Sequence, residues 1–107
     1  MDIQLKRGVL DVCVLKALSG GDSYGYKIIS EISPHIEISE STLYPILKRL
    51  LAAECVTQYS KEYNGRLRKY YSITDKGRKR IEDFLKEWES MIKIYEFIAE
   101  ENNNDTE

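Results

Sequence analysis

The pair Asn64-Gly65 constrains the fold more than any other feature of the chain, because it separates two segments in which apolar and polar side chains alternate. Both residues tolerate the positive φ of a tight turn, so this arrangement predicts a β-hairpin. We expect its strands over residues 56–63 and 66–73, which are rich in β-branched and aromatic side chains. The rest of the chain must then pack around the base of one small ribbon.

Three helical segments precede this hairpin, over residues 3–18, 24–32 and 39–50. The first is apolar around most of its circumference, which is typical of a helix buried on several sides. The second carries one apolar stripe and contains Gly25, whose destabilising effect is explained if a helix or a phosphate backbone comes close to it. Residues 35–38 alternate in polarity, which favours a short strand before the third helix.

Polar residues mark the expected starts of the helices. Asp22 or Ser23 would cap the second helix, and the hydroxyl of Ser39 would accept a hydrogen bond from a first-turn N–H of the third. Thr74 would cap a fourth, long helix that begins near Asp75. The chain is therefore expected to be mainly α with a small β-hairpin.

The third helix has two faces of different chemistry. One is an apolar stripe, and the other carries short hydroxyls, an aromatic ring, a proline and two cations. The residues of this polar face are Ser41, Thr42, Tyr44, Pro45, Lys48 and Arg49. Short hydroxyls near a helix N-terminus let the backbone approach phosphates and base edges, and the cations neutralise phosphate. The pattern indicates a DNA-recognition helix; an amphipathic core helix with a solvated polar face is the alternative.

The hairpin adds a second cationic surface. Its tip consists of Lys61, Asn64, Gly65, Arg66 and Arg68. Between Lys61 and Arg80 there are eight basic residues and two acidic ones, although the net charge of the whole chain is −2. Clustered cations are what a phosphate-binding surface requires, but a basic tip that only adds solubility is the alternative. Three helices followed by such a ribbon is the order of a winged helix-turn-helix, whose third helix enters the major groove.

The fourth helix carries apolar residues at heptad spacing. They are Ile81, Phe84, Leu85, Trp88, Met91, Ile92, Tyr95 and Ile98. A stripe this long, projecting from a small domain, predicts pairing with a second copy; the alternative is that the helix folds back onto its own core. We therefore expect a DNA-binding domain over residues 1–74, a dimerisation helix over residues 75–99 and a flexible acidic tail over residues 100–107.

Other function classes are disfavoured by what the sequence lacks. Paired carboxylates, a nucleophile with a base and a glycine-rich phosphate loop are missing, so we expect neither an enzyme nor a cofactor. Cys13, Cys55 and His35 lack the spacing of a metal site, and both cysteines are expected as core residues. No apolar run approaches the ~20 residues of a membrane span and no signal-peptide pattern is present, which favours a cytoplasmic location without a membrane partner.

Four motifs follow one another along the chain: Gly21–Tyr26, Ser41–Leu50, Arg68–Thr74 and Lys76-Gly77. In this order and spacing they resemble the PadR family of bacterial transcriptional regulators, in its subgroup with a short C-terminus. The resemblance extends from about residue 5 to about residue 98. Two positions depart from the family pattern: Ser41 stands where glycine or alanine is frequent, and Glu54-Cys55 stands where a glycine usually precedes the first strand.

The resemblance implies a homodimeric repressor that binds a pseudo-palindromic operator in double-stranded DNA. Ser23 and Tyr24 would hold phosphate at the start of the second helix. A planar aromatic effector would stack on the tryptophan of the last helix and contact residues around it, here Trp88, Glu89, Ile92, Leu5, Gly8, Asp11 and Val12. Alternatively, Trp88 is an ordinary dimer residue without a ligand, and Asp11 is an exposed or ion-paired acid. For the whole chain, the alternative is a protein-interaction module or antirepressor that does not bind DNA.

Overall fold

The computed structural model describes residues 1–104. The elements follow in the order α1 (Ile3–Leu18), α2 (Gly25–Ile32), α3 (Glu40–Ala52), β1 (Val56–Tyr63), β2 (Arg66–Ile73) and α4 (Asp75–Asn104). The predicted mainly α fold with one small hairpin is confirmed, and the bounds of α1, β1 and β2 match those predicted. Helix α4 continues to Asn104, past the predicted end at residue 99; residues 105–107 of the predicted acidic tail lie outside the described residues.

The hairpin pairs its strands antiparallel, with Val56 opposite Ile73 and Tyr63 opposite Arg66. Asn64 and Gly65 close the turn with φ angles of 51° and 77°, which are the left-handed conformations that a two-residue hairpin turn needs. Because successive residues of a strand point to opposite faces, this register decides which side chains share a face of the ribbon.

The hydrophobic core lies where α1, α2 and α3 meet the base of the hairpin. Its buried side chains are Leu10, Val14, Leu15, Leu18, Ile28, Ile32, Ile38, Leu43, Ile46, Leu47, Leu50, Cys55, Val56 and Tyr71. Each large apolar side chain buried in this way contributes roughly 1.5–3 kcal/mol. Both cysteines are free thiols, with Cys55 buried in the core and Cys13 half-buried beside it, as predicted.

The strand predicted at residues 35–38 is wrong, because within the described residues this segment is a turn followed by irregular backbone. Its alternation reflects burial, since Ile38 lies in the core and Ile36 packs against it. The hairpin pairs instead with the segment before α2. There the Ser23 N–H donates to the Tyr71 carbonyl at 3.1 Å, and the Tyr71 N–H donates to the Ser23 carbonyl at 2.8 Å. This bridge attaches the ribbon to the N-terminal end of α2.

The helix caps are partly as predicted. Thr74 caps α4, where its hydroxyl oxygen accepts a hydrogen bond from a first-turn N–H at 3.1 Å. Ser39 is the N-cap residue of α3, but its hydroxyl contacts two neighbouring hydroxyls rather than a backbone N–H. The N-cap residue of α2 is Tyr24, so the prediction of Asp22 or Ser23 is wrong, and within the described residues no side chain caps this helix.

Helix α4 projects from the rest of the molecule, and the molecule including this helix has principal extents of 69 × 25 × 22 Å. Ile81 packs against the core and Phe84 is half-buried, whereas the apolar residues from Leu85 to Ile98 are exposed. The alternative in which this helix folds back onto its own core is therefore wrong. Among the described residues, no helix is both long enough and apolar enough to cross a membrane.

Candidate nucleic-acid interface

Helix α3 presents its predicted polar face to solvent. The exposed side chains are Ser41, Thr42, Tyr44, Pro45, Lys48 and Arg49. The residues between them are buried in the core: Leu43, Ile46, Leu47 and Leu50. Because these four apolar side chains fix the rotation of α3 about its axis, the hydroxyls of its first turn and the cations of its last turns are held on the outside of the domain.

Gly25 brings the start of α2 against α3. A Cβ added at this glycine would lie 2.5 Å from the hydroxyl oxygen of Tyr44, so a side chain here would displace that tyrosine. The prediction that a helix comes close at Gly25 is thus confirmed. Burial of the Tyr71 ring beneath this region raises the pKa of its hydroxyl, and the nearby Tyr44 raises it further.

One face of the hairpin collects the basic residues of the predicted wing. The register pairs Lys61 with Arg68 and Tyr63 with Arg66. Paired residues share a face, and every second residue along a strand returns to it, so one face carries three cations and three tyrosines. This basic face consists of Lys61, Arg66, Arg68, Tyr59, Tyr63 and Tyr70. Glu62 lies on the opposite face, where its carboxylate does not oppose the three cations.

Arg68 is held between two tyrosine rings. Its guanidinium carbon lies 3.9 Å from the ring centroid of Tyr24 and 3.8 Å from that of Tyr63. Tyr70 meets Tyr24 edge-on and stacks on Tyr59, with ring centroids 5.6 Å apart in each pair. A guanidinium between two rings keeps its charge and its N–H edges while its plane is fixed. The stack therefore joins the wing to the N-terminal end of α2.

The tip and the base of the ribbon have different surroundings. At the tip the predicted wing residues Lys61, Asn64, Gly65 and Arg66 are all exposed. At the base the Tyr59 hydroxyl donates to the Asp22 carboxylate at 2.8 Å. Hydrogen bonds from the hydroxyls of Ser72 and Tyr59 hold the pKa of Asp22 below its ordinary value. The hydrogen bond between Tyr59 and Asp22 also raises the pKa of the Tyr59 hydroxyl. The wing is thus fastened at its base and open to a ligand at its tip.

Ser23 does not fit its predicted role at a phosphate. Its side chain is buried, with 2% exposed, and its backbone N–H donates to Tyr71 of β2. Within the described part of the chain its hydroxyl has no hydrogen-bond partner. The pairing with the hairpin uses the backbone donor that a phosphate would need, so this prediction is wrong. Tyr24 beside it is half-buried, with the Arg68 guanidinium over its ring.

Asp11 is also placed differently from the prediction. Its carboxylate accepts hydrogen bonds from Arg49 of α3 at 2.7 Å and from Arg80 of α4 at 3.1 Å. The residue is only 4% exposed. Because both carboxylate oxygens are occupied, the prediction that Asp11 faces a bound effector is wrong, and the ion-paired alternative is the correct one.

The other residues of the predicted effector pocket lie on α1 and α4. Trp88 stacks on Phe84, with ring centroids 6.0 Å apart and ring planes 13° apart. Phe84 and Val12 line an apolar groove of about 550 Å³ between α1, the end of α2 and α4. The remaining predicted residues are exposed on the surface: Leu5, Gly8, Glu89 and Ile92. In a single chain these residues line a surface and do not form an enclosed pocket.

Comparison with known proteins supports the same architecture. The model of the transcriptional regulator PadR-like family matches residues 14–83, which is more than half of the chain. A transcriptional regulator from Clostridium thermocellum is 34% identical, with a TM-score of 0.78 over 86% of this chain and 94% of that one. A Streptococcus mutans UA159 protein is 40% identical, with a TM-score of 0.76 over 88% of this chain and 89% of that one.

One structural neighbour was solved with nucleic acid. Bacillus subtilis PadR, whose crystal structure contains operator DNA, is 28% identical with a TM-score of 0.67, over 72% of this chain and 47% of that protein. The matched family is made of transcriptional regulators and not of enzymes. With its winged helix, its long C-terminal helix and its family match, this chain belongs to the PadR-like family of transcriptional regulators.

Proposed function

We propose that the chain is a sequence-specific DNA-binding repressor that acts in the cytoplasm as a homodimer and responds to a planar aromatic effector. The observation that carries DNA binding is the continuity of one surface. It runs from the polar face of α3, through Tyr44 against Gly25, to Tyr24 under Arg68 and on to the wing. This surface holds the hydroxyls, aromatic rings and cations that contact bases and phosphates.

In this proposal α3 enters the major groove of the operator. Ser41 and Thr42 lie in its first turn, where short hydroxyls and the helix dipole suit base edges and phosphates. Tyr44 and Pro45 offer apolar surface for contact with thymine methyl groups. Lys48, further along the helix, neutralises a phosphate. The tyrosine is kept in place by its contact with Gly25.

The wing contacts the adjacent backbone. Lys61 and Arg66 are exposed at the tip and share the basic face, so both point to the same side of the ribbon. Asn64 and Gly65 form the turn, where small residues let the backbone come close to a phosphate. Arg68 adds a third positive charge in a fixed orientation between its two rings.

The outer half of α4 (residues 85–100) supplies the dimer interface. Its apolar side chains at heptad spacing are exposed in the single chain: Leu85, Trp88, Met91, Ile92, Tyr95 and Ile98. A contiguous apolar surface of this size on a small protein indicates an interaction site, and heptad spacing suits a second helix. Two-fold symmetry would then place two α3 helices about one helical turn of DNA apart, on a pseudo-palindromic operator.

The effector would bind at Trp88 where two copies meet. The stack on Phe84 orients the indole, and Trp88 remains 43% exposed, which leaves area for a flat ligand. The neighbouring Glu89 would favour a cationic ligand. Because Trp88 is the one tryptophan of the chain, its emission reports on this site alone. We expect planar cationic dyes such as ethidium to quench this emission in the DNA-free protein. Trp88→Ala should lose dye binding, measured by the fluorescence of the dye itself.

The salt dependence of DNA binding tests the wing. Each phosphate contact contributes about 0.9 to the slope of log K against log salt. Lys61→Ala combined with Arg66→Ala removes two contacts from each copy of the dimer, so it should lower that slope by about 4. Lys69→Ala is the matched control, because Lys69 lies on the same strand as Arg66 but on the opposite face. It should leave the slope almost unchanged.

Three results would each contradict a part of the proposal. Equal slopes for the wild-type protein and the wing variant would remove the wing from the DNA interface. Failure to shift any duplex at low salt, its own promoter included, would favour a protein-interaction module instead. If planar cationic dyes leave the Trp88 emission unchanged, the proposed effector site is wrong, while the proposal of DNA binding is unaffected.

A further inference from the structure

Three helices of this molecule meet at one buried carboxylate. Asp11 of α1 accepts from Arg49 Nη2 through Oδ1 at 2.7 Å and from Arg80 Nη2 through Oδ2 at 3.1 Å. The Asp11 side chain is 6% exposed, and each arginine side chain is 41% exposed. We call this group the Asp11 bridge. Along the chain, Arg49 is 38 residues from Asp11 and Arg80 is 69 residues from it.

The bridge is not an ordinary surface ion pair. A carboxylate this deeply buried is unfavourable unless its oxygens are satisfied, and here each oxygen has its own guanidinium. A planar guanidinium donates in fixed directions, so two such bonds restrain the helices that carry them. Buried ion pairs of this kind add little net stability, and their better-supported role is to select one arrangement of the elements they connect.

The two arginines occupy functionally different helices. Arg49 lies in the last turn of α3, directly after the exposed Lys48 of the recognition surface. Arg80 lies near the start of α4, one residue before Ile81, where the helix still packs against the core. The Asp11 bridge therefore connects the helix that would read DNA to the helix that would pair with a second copy.

We propose that Asp11 is a positioning residue for operator recognition, which sets the orientation of α3 relative to α4 by holding Arg49 and Arg80. This inference depends on the proposed function, in which α3 binds DNA and α4 forms the dimer. In a dimer the angle between α3 and α4 determines the spacing of the two recognition helices. Arg49 then acts through Asp11 and not as a phosphate contact, in contrast to its prediction from sequence.

The test compares specific with non-specific binding by the full-length protein. The specific probe is a duplex that the wild-type protein enriches from a random library, and the non-specific probe is the same duplex with a scrambled sequence. Asp11→Asn keeps the shape of the side chain and removes its charge. We expect specific affinity to fall at least about tenfold, while non-specific affinity stays or rises because Arg49 is released.

A matched variant separates positioning from general loss of stability. Val14 lies one turn along α1 from Asp11, is fully buried and belongs to the apolar core. Val14→Ala should lower the melting temperature and leave the ratio of specific to non-specific affinity unchanged when both proteins are assayed well below their transitions. Circular dichroism at the assay temperature confirms that each variant is folded.

The salt slope provides a second readout for Arg49. Arg49→Gln should lower the specificity ratio and leave the slope unchanged, whereas Lys48→Gln, which removes one contact from each copy, should lower the slope of the dimer by about 2. A slope decrease of about 2 for Arg49→Gln would overturn the positioning role, and so would an unchanged ratio in folded Asp11→Asn. If the wild-type protein enriches no duplex, the proposed function itself fails, an outcome distinct from either of these.

Discussion

The body of the molecule (residues 1–84) and the outer half of α4 differ in how far their apolar side chains are buried. In the body, Leu43 and Leu50 have no exposed surface, and Ile81 at the start of α4 packs against the same core. In the outer half, the same heptad pattern continues, but Ile92 is 44% exposed and Ile98 is 54% exposed. One continuous sequence pattern therefore serves two environments along a single helix.

This difference shows that heptad spacing predicts an apolar face but not the partner of that face. Ile81 in the inner turns of α4 packs against the core of the body, whereas the apolar side chains from Leu85 to Ile98 are exposed in the single chain. The stability of the body should therefore be independent of protein concentration. Burial of the outer half requires a second copy, and its contribution should follow mass action.

The largest expected effect is in the body. Leu50→Ala removes a fully buried side chain of α3 and leaves a cavity, which should lower the free energy of unfolding by about 3 kcal/mol. Urea denaturation at two protein concentrations measures it, and the loss should be the same at both. A loss below about 1 kcal/mol would show that neighbouring side chains move in to fill the cavity. The body would then be less tightly packed than its comparison with the outer half of α4 assumes.

A charge in the outer half should act on association instead. Ile92→Lys places an ammonium group in the proposed interface, which we expect to raise the dimer dissociation constant about 30-fold, or ~2 kcal/mol. Sedimentation velocity over a concentration series measures this change. Ser90→Lys is the control, because Ser90 is exposed on α4 and lies outside the apolar stripe. Equal dissociation constants for the two variants would place the interface elsewhere.

Local patterns predicted most of the fold. The turn chemistry of Asn64-Gly65 and the alternation on either side of it gave both strands their correct bounds. The stripe on α3 correctly separated buried from exposed residues, because a helix at a domain surface has one side in the core. These features depend on neighbours within one or two turns of the chain, which a sequence displays directly.

Contacts between distant residues were not predictable in the same way. The partners of Asp11 lie on two other helices, and local spacing carries no information about which cations will meet a carboxylate. The burial of Ser23 was not predictable from local sequence, because its pairing with Tyr71 depends on how the ribbon folds against α2. The aromatic and basic face around Arg68 is visible in the sequence, because Tyr59, Lys61 and Tyr63 occupy every second position of β1 and so share one face.

A smaller effect is expected where the backbone of the body is strained. Glu54 has a φ of 61°, a left-handed conformation that disfavours a residue with a side chain. The sequence departs from the family pattern at this place, where a glycine is usual. Glu54→Gly should therefore raise the free energy of unfolding by about 1 kcal/mol at any protein concentration.

Asn64→Gly is the matched control for this substitution. Asn64 has a similar φ of 51°, but asparagine tolerates that conformation, so the gain there should be only a few tenths of a kcal/mol. Thermal unfolding of both variants gives the comparison. If Glu54→Gly is neutral or destabilising, the side chain of Glu54 contributes more than the strain removes.

The smallest expected effect is a pH dependence at the base of the wing. Hydrogen bonds from Ser72 and Tyr59 lower the pKa of Asp22 from its ordinary 3.8. A carboxyl whose pKa is lower in the folded than in the unfolded state adds stability above the unfolded value and loses it as the pH falls through the folded value. Tyr59→Phe removes one donor, so the pKa of Asp22 should rise towards 3.8.

The resulting loss of stability should be small, because water screens a group this exposed. It should be present at neutral pH and should vanish as the pH falls below the pKa of Asp22 in the folded state, where the carboxyl is protonated in both states. An NMR titration of the Asp22 carboxyl measures the pKa change, and Tyr26→Phe, an exposed tyrosine of α2, serves as control. Since Asp22 and Tyr59 both belong to the body, the same change should appear in the Ile92→Lys background, where association is weakened. A pKa change that disappears in that background would mean that the wing base responds to pairing through α4, and the body and the outer half would then be energetically coupled.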